Sequence, residues 1–181
     1  RAAGMPGVSM AGGLTPGIEH TAYFTPPQAS YCNGTHVAEV EVDPMTGGVA
    51  ILRYTVAHDS GVVINPITLE GQLHGSIGQG LGEALTEQVV YEPGTGQLLT
   101  GTFLDYAMPR AGDVPNFILE ELGTTEKSNP LGVKGAGESG TVGAPPAIIG
   151  AIVDALKDYG VVDIPMPATS ARIWQAMQSG K

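Results

Sequence analysis

At 181 residues, 42% of them hydrophobic and only 14% charged, the chain has material for one domain-sized core and too little charge for a disordered segment. Its 18 acids against 8 bases give a net charge of −10, which excludes the basic clusters that nucleic acid or an anionic membrane surface would need. One cysteine, Cys32, excludes an internal disulfide, a thiolate zinc site and an iron–sulfur site.

A lone cysteine fits a reducing compartment, so a cytoplasmic location is expected. No run approaches the ~18 apolar residues of a membrane span. No secretory signal is visible, and the first residue is Arg1, so the natural N-terminus is expected to lie elsewhere. Low charge with 27 glycines points to a piece that buries much of its surface against other polypeptide, within a larger assembly.

Residues 1–33, rich in Gly, Pro, Thr and Ala, read as an irregular arm with one short strand near Tyr23 and Phe24. From residue 34 onward the pattern is that of a single domain. Ala38, Val40 and Val42 alternate with Glu39 and Glu41, the period of a strand with one wet face. A turn cluster over residues 43–48 and a β-rich return over 49–57 predict a hairpin. Asn65-Pro66 opens a helix predicted over 68–86, with Leu73, Ile77, Leu81 and Leu85 on one stripe.

That helix also holds Gly71, Gly75, Gly78, Gly80 and Gly82. At about 1 kcal/mol each against alanine, five glycines sacrifice roughly 5 kcal/mol of helix propensity, so a close-approaching backbone or ligand is expected. The small-residue spacing would suit a membrane dimer, but Glu70, Gln72, His74 and Glu83 exclude one. Residues 89–91 and 97–99 predict a second hairpin, 105–115 a loop, and 117–122 another strand. A helix is predicted over 145–159, starting at its prolines and stopped by Gly160, and a final short one over 171–178. Strands and helices mix without βαβ regularity, which predicts an α+β fold: a mixed sheet with helices packed on one face.

The chemistry concentrates between Gly132 and Pro146. Five glycines surround a lone acid, Glu138, just ahead of a helix start. Pliant backbone, several exposed N–H groups and one carboxylate make a cofactor cradle carrying a catalytic base. An ordinary glycine-rich surface turn has the same composition. Residues 135–140 also read literally as G-x-G-x-x-G, a dinucleotide fingerprint. That reading lacks the hydrophobic strand that should lead into the glycines, and Glu138 would set a negative charge where pyrophosphate should sit.

His20, His36, His58 and His74 have no metal-ligand spacing, so no protein-held metal is expected. His58, beside Asp59 at a strand end, could orient a loop. Gln72 offers a neutral donor and acceptor that could bond a polar cofactor ring, and is equally a helix-surface glutamine.

Taken in order, five motifs carry a resemblance. They are Val40-Glu41-Val42-Asp43-Pro44-x-Thr46-Gly47, His58-Asp59-x-Gly61-x-x-Ile64-Asn65-Pro66, and Gly71-Gln72-x-His74-Gly75-x-x-x-Gln79-Gly80-x-Gly82. Then come Leu104-Asp105-Tyr106-x-Met108-Pro109 and Lys134-Gly135-x-Gly137-Glu138 running into Gly143-Ala144-Pro145-Pro146. Together they resemble the C-terminal part of the molybdopterin-binding domain in the large subunit of the molybdenum hydroxylases, the family of xanthine dehydrogenase, aldehyde oxidoreductase and aerobic carbon monoxide dehydrogenase.

The resemblance implies an oxidoreductase that inserts water-derived oxygen into an aldehyde, an N-heterocycle or a similar carbon centre. It makes Glu138 the general base beside molybdenum. It gives Lys134, Gly135, Ala136 and Gly137 the role of lining the pterin with main-chain donors, and Gln72 that of hydrogen-bonding it. It implies a molybdopterin cofactor in the cytosine dinucleotide form, with [2Fe-2S] clusters and FAD on partner subunits. Because that family's large subunit is several times longer and its other cofactor loops lie upstream, this chain alone is expected to be inactive.

Overall fold

The computed structural model describes residues 21–180. The polar–apolar alternation lies on a strand, Asn33–Val42 (β1). Asp43 closes the turn that follows. Its carboxylate accepts from the Met45 amide at 2.9 Å and from the Thr46 hydroxyl at 2.6 Å. Gly47 sits there at φ 72°, where a Cβ would also meet the Trp174 amide nitrogen at 2.8 Å, so glycine is required twice over. The return strand, Val49–Asp59 (β2), pairs antiparallel with β1, and one irregularity between Glu39 and Val40 leaves Leu52 unopposed.

The first helix runs Pro66–Leu85 (α1). Asn65 caps it, accepting from Ile67 N at 3.1 Å and Thr68 N at 3.3 Å, and Pro66 occupies the first turn, where a missing N–H costs nothing. Leu73, Ile77 and Leu81 are buried, as the four-residue spacing requires. The strand Phe117–Glu121 (β3) pairs parallel with β2, from Tyr54 opposite Phe117 to His58 opposite Glu121. The three-stranded mixed sheet therefore has the order β1-β2-β3, with β2 in the centre.

A second helix, Ser139–Ala155 (α2), is followed by a short 3₁₀ turn, Lys157–Tyr159, which Gly160 ends at φ 77°. The last helix is Ser170–Ser179 (α3). Tyr54 and Val56 of β2 are fully buried against Ile77 and Leu81 of α1, Ile148 and Ile152 of α2, and Ile173 and Met177 of α3. The fold is thus α+β, a mixed sheet with helices on one face.

Three expectations change. Residues 21–32 form no strand, and Tyr23 and Phe24 are exposed; the first 20 residues of the expected arm lie outside those described. The second hairpin shrinks to a single bridge between Tyr91 and Leu98, since neither arm finds a third strand or a core to bury against. The largest change is at α2, which begins at Ser139, six residues before the prolines.

Pro145 and Pro146 lie inside α2 and cannot supply its ladder with their nitrogens. Tertiary contact holds that first stretch instead. The Thr141 hydroxyl donates to Ser76 O of α1 at 3.1 Å, and a Cβ on Gly140 would meet Ile77 N at 2.8 Å. The two helices approach this closely because Gly80 lacks a side chain. A Cβ there would lie 2.8 Å from the Ala144 Cβ and 2.9 Å from the Pro145 Cδ. Gly71, Gly75 and Gly78 meet nothing within 4 Å, so only part of the glycine-rich face is explained by contacts within the described chain.

This difference is measurable by urea unfolding. Gly80→Ala is expected to destabilise the chain by about 1–3 kcal/mol through overpacking. Gly75→Ala is expected to stabilise it by roughly 0.5–1 kcal/mol through helix propensity. Equal shifts for the two would refute the packing assignment.

Candidate functional site

The site is assembled where β2 ends. Asp59 Oδ1 accepts from the Gly61 amide at 2.9 Å and the Thr124 amide at 3.0 Å. Its Oδ2 accepts from the Thr124 hydroxyl and from the Lys134 ammonium, the latter at 2.7 Å. Lys134 Nζ also donates to Thr124 Oγ1 at 2.8 Å. These hydrogen bonds, Lys134 first and Thr124 second, hold the Asp59 carboxyl well below its usual 3.8. Beside it, buried His58 bonds Glu121 Oε2 through Nε2 at 2.8 Å and Ser60 Oγ through Nδ1 at 3.0 Å. His58 and Asp59 thus orient loops.

The glycine loop is fastened up to Lys134 and free after it. Val62 N donates to Gly132 O at 2.9 Å, Asn129 brackets Val133 through its amide side chain, and Lys134 N donates to Ser60 O at 2.9 Å. None of the hydrogen bonds among the described residues uses the N–H of Gly135, Ala136 or Gly137. Glu138 follows at the N-cap of α2, exposed, with its side chain making no capping bond. One predicted role needs correction: Lys134 does not offer its main-chain donor, which Ser60 already takes, and its ammonium is turned inward onto Asp59.

The free stretch divides two clefts. One, of about 530 Å³, is lined by Cys32, His36, His58, Gly135 and Glu138 among others. The other, about 300 Å³, holds Gln72 with Asn65, Ala136 and Gly137. Gln72 is exposed, and a Cβ on Gly137 would lie 3.7 Å from its Nε2. Of the residues predicted to form a site, Gln72, Gly135, Ala136, Gly137 and Glu138 therefore come together around one short segment.

His36 was not among those residues. It faces inward from β1, in phase with Ala38 and Val40, and that phase was the available signal. Its Nδ1 is hydrogen-bonded to the Tyr54 hydroxyl at 2.7 Å, and burial pushes the Tyr54 pKa up. The ring lies on α2 where Gly143 makes room; a Cβ there would meet it at 2.5 Å. Burial, with repulsion from His58 second, lowers the His36 pKa below 6.5. Among the described residues, no group of three or more His, Cys, Asp or Glu could hold a metal ion, and no helix is long and apolar enough to cross a membrane.

The family described as "Molybdopterin cofactor-binding domain" matches residues 4–115. The chain is 36% identical over 166 residues to the carbon monoxide dehydrogenase large chain of Hydrogenophaga pseudoflava, covering 92% of this chain and 20% of that one. It is 39% identical over 164 residues to the nicotine 6-hydroxylase large subunit of Paenarthrobacter nicotinovorans, covering 91% and 20%. The crystal structure of a Cu,Mo-CO dehydrogenase superposes with a TM-score of 0.88 at 30% identity, over 94% of this chain and 21% of that one. The chain belongs to the molybdopterin cofactor-binding domain family of the molybdenum hydroxylases. It spans about 20% of the length of the curated relatives it matches.

The lowered His36 pKa has a consequence for stability. Unfolded His36 takes up a proton near 6.5, while the folded ring does so only at lower pH. The unfolded state then binds more protons, so stability falls as pH drops through 6.5 toward the folded value. His36→Gln is expected to flatten the loss of urea-unfolding free energy between about pH 7 and pH 5. Parallel profiles for variant and parent would show that the ring carries no such linkage.

Proposed function

We propose that this chain contributes the general base and part of the cofactor cradle to a molybdopterin-dependent hydroxylase. The substrate would be an aldehyde, an N-heterocycle or a similar carbon centre. One observation carries the reading: a free carboxylate, Glu138, stands on a cleft rim directly after three main-chain N–H groups that no described residue uses.

The donor set fits a polar, anionic pterin. Unpaired N–H groups ahead of a helix attract anionic and carbonyl oxygens. The Gln72 amide supplies both a donor and an acceptor from the opposite cleft without adding charge. Gly135 and Gly137 leave the main chain bare of side chains, so a planar ring system can lie against it. When bound, the molybdenum–pterin group supplies two-electron oxidation and acidifies the attacking water.

Glu138 then needs only an ordinary carboxylate's basicity to take the proton at its exposed carboxyl group. His58 stays engaged with Glu121 and Ser60 and keeps the wall of the same cleft in place. The cofactor is read as the cytosine dinucleotide form. An iron–sulfur subunit with [2Fe-2S] clusters and an FAD subunit would join the remainder of the large subunit and supply the route for electrons.

Glu138→Gln in the intact, partner-bound large subunit tests the assignment. Turnover is expected to fall by about 10²–10⁴-fold with molybdenum content unchanged, the loss typical of removing a general base. Unchanged turnover would make the chain a non-catalytic assembly module of the same fold. The 181-residue chain alone is expected to retain little molybdenum; a stoichiometric amount by elemental analysis would overturn that part.

A further inference from the structure

Resting on the reading of Gly135–Gly137 as a cradle, the geometry points to Lys134 and Asp59 as a positioning pair. Their buried ion pair fixes where the cradle begins, and the Lys134 ammonium serves the loop rather than the cofactor.

Three segments converge on Asp59. Gly61 brings the exit of β2, Thr124 the connection after β3, and Lys134 the glycine loop. Every donor reaches one carboxylate, so its position sets theirs relative to one another. The Lys134 and Asp59 side chains are only 8% and 9% exposed, so little water reaches the pair. A carboxylate accepting several hydrogen bonds is locked in its charged form, in keeping with the depressed Asp59 pKa.

Gly132, Val133 and Lys134 all have main-chain bonds to neighbouring segments, whereas the N–H groups of the next three residues have none among the described residues. The ion pair lies at that boundary. A free N–H is a useful donor only if its direction is fixed, and the last fixed residue before the free ones is Lys134. Removing one member of a buried pair leaves the other charge uncompensated, whereas removing both does not. The pair should therefore act as a unit.

Lys134→Met, Asp59→Asn and the double variant in the intact large subunit with its partner subunits test this. The readouts are molybdenum per subunit and, in the cofactor-free subunit, amide hydrogen exchange over residues 132–134, whose N–H groups are hydrogen-bonded. Each single variant is expected to lower molybdenum at least tenfold and to speed exchange at least tenfold. The double variant should regain part of both.

If Lys134 instead touches the cofactor, Asp59→Asn keeps its molybdenum and the double variant matches Lys134→Met; either result overturns the pair. So does molybdenum loss that merely tracks the fraction of unfolded subunit by circular dichroism. The exchange measurement needs neither cofactor nor turnover, so a failure of Glu138 as base would leave it standing. Unchanged exchange would sink the pair while leaving Glu138 untouched.

Discussion

The contact between α1 and α2 is the constraint on which the other features depend. α2 starts where it does because α1 lets it come close at Gly80, and because Ser76 O accepts from the Thr141 hydroxyl. Two prolines seven and eight positions into a helix would ordinarily mark its beginning. Here tertiary contact winds the preceding glycine-rich stretch into helix, and Glu138 becomes the residue just outside its first turn. The carboxylate's place at a cleft rim is thus a product of helix packing two turns away.

Two kinds of backbone meet at Lys134. Upstream, the chain is tied to β2 and to the connection after β3 by main-chain and side-chain bonds. Downstream, it is open until α2 begins. A fixed support thus carries a largely exposed segment whose N–H groups no described residue uses. The clefts lie on its two sides: Gln72 lines one and Glu138 the other.

Much of the scaffold was legible in the chain. The β1–β2 hairpin followed from Glu39 and Glu41 alternating with valines, and α1 from leucines four apart, because burial on one face imposes those periods. The α+β class followed from the lack of βαβ order. Residues 89–99 misled because a turn cluster between short apolar runs looks alike with or without a neighbouring strand to pair with. The start of α2 was illegible for a different reason. Local propensity points to the prolines, while the deciding contacts come from α1, more than 60 residues away in sequence.

Residue type and family resemblance single out Gln72, Gly135, Ala136, Gly137 and Glu138, and these residues lie around one short segment. Lys134 was assigned by its place in a motif, and only its distance from Asp59 reveals where its ammonium goes. Thr124 carries no signal of its own, because a threonine in a polar connection is unremarkable until its partner is known. His36 lay within reach of pattern reading, as an inward-phase position on β1.

Gly71, Gly75 and Gly78 give α1 an uneven character. Ala144 and Pro145 clamp it at Gly80, while Gly71, Gly75 and Gly78 present bare backbone. Two ends of one helix are thus held by different means, packing at one and a single capping side chain, Asn65, at the other.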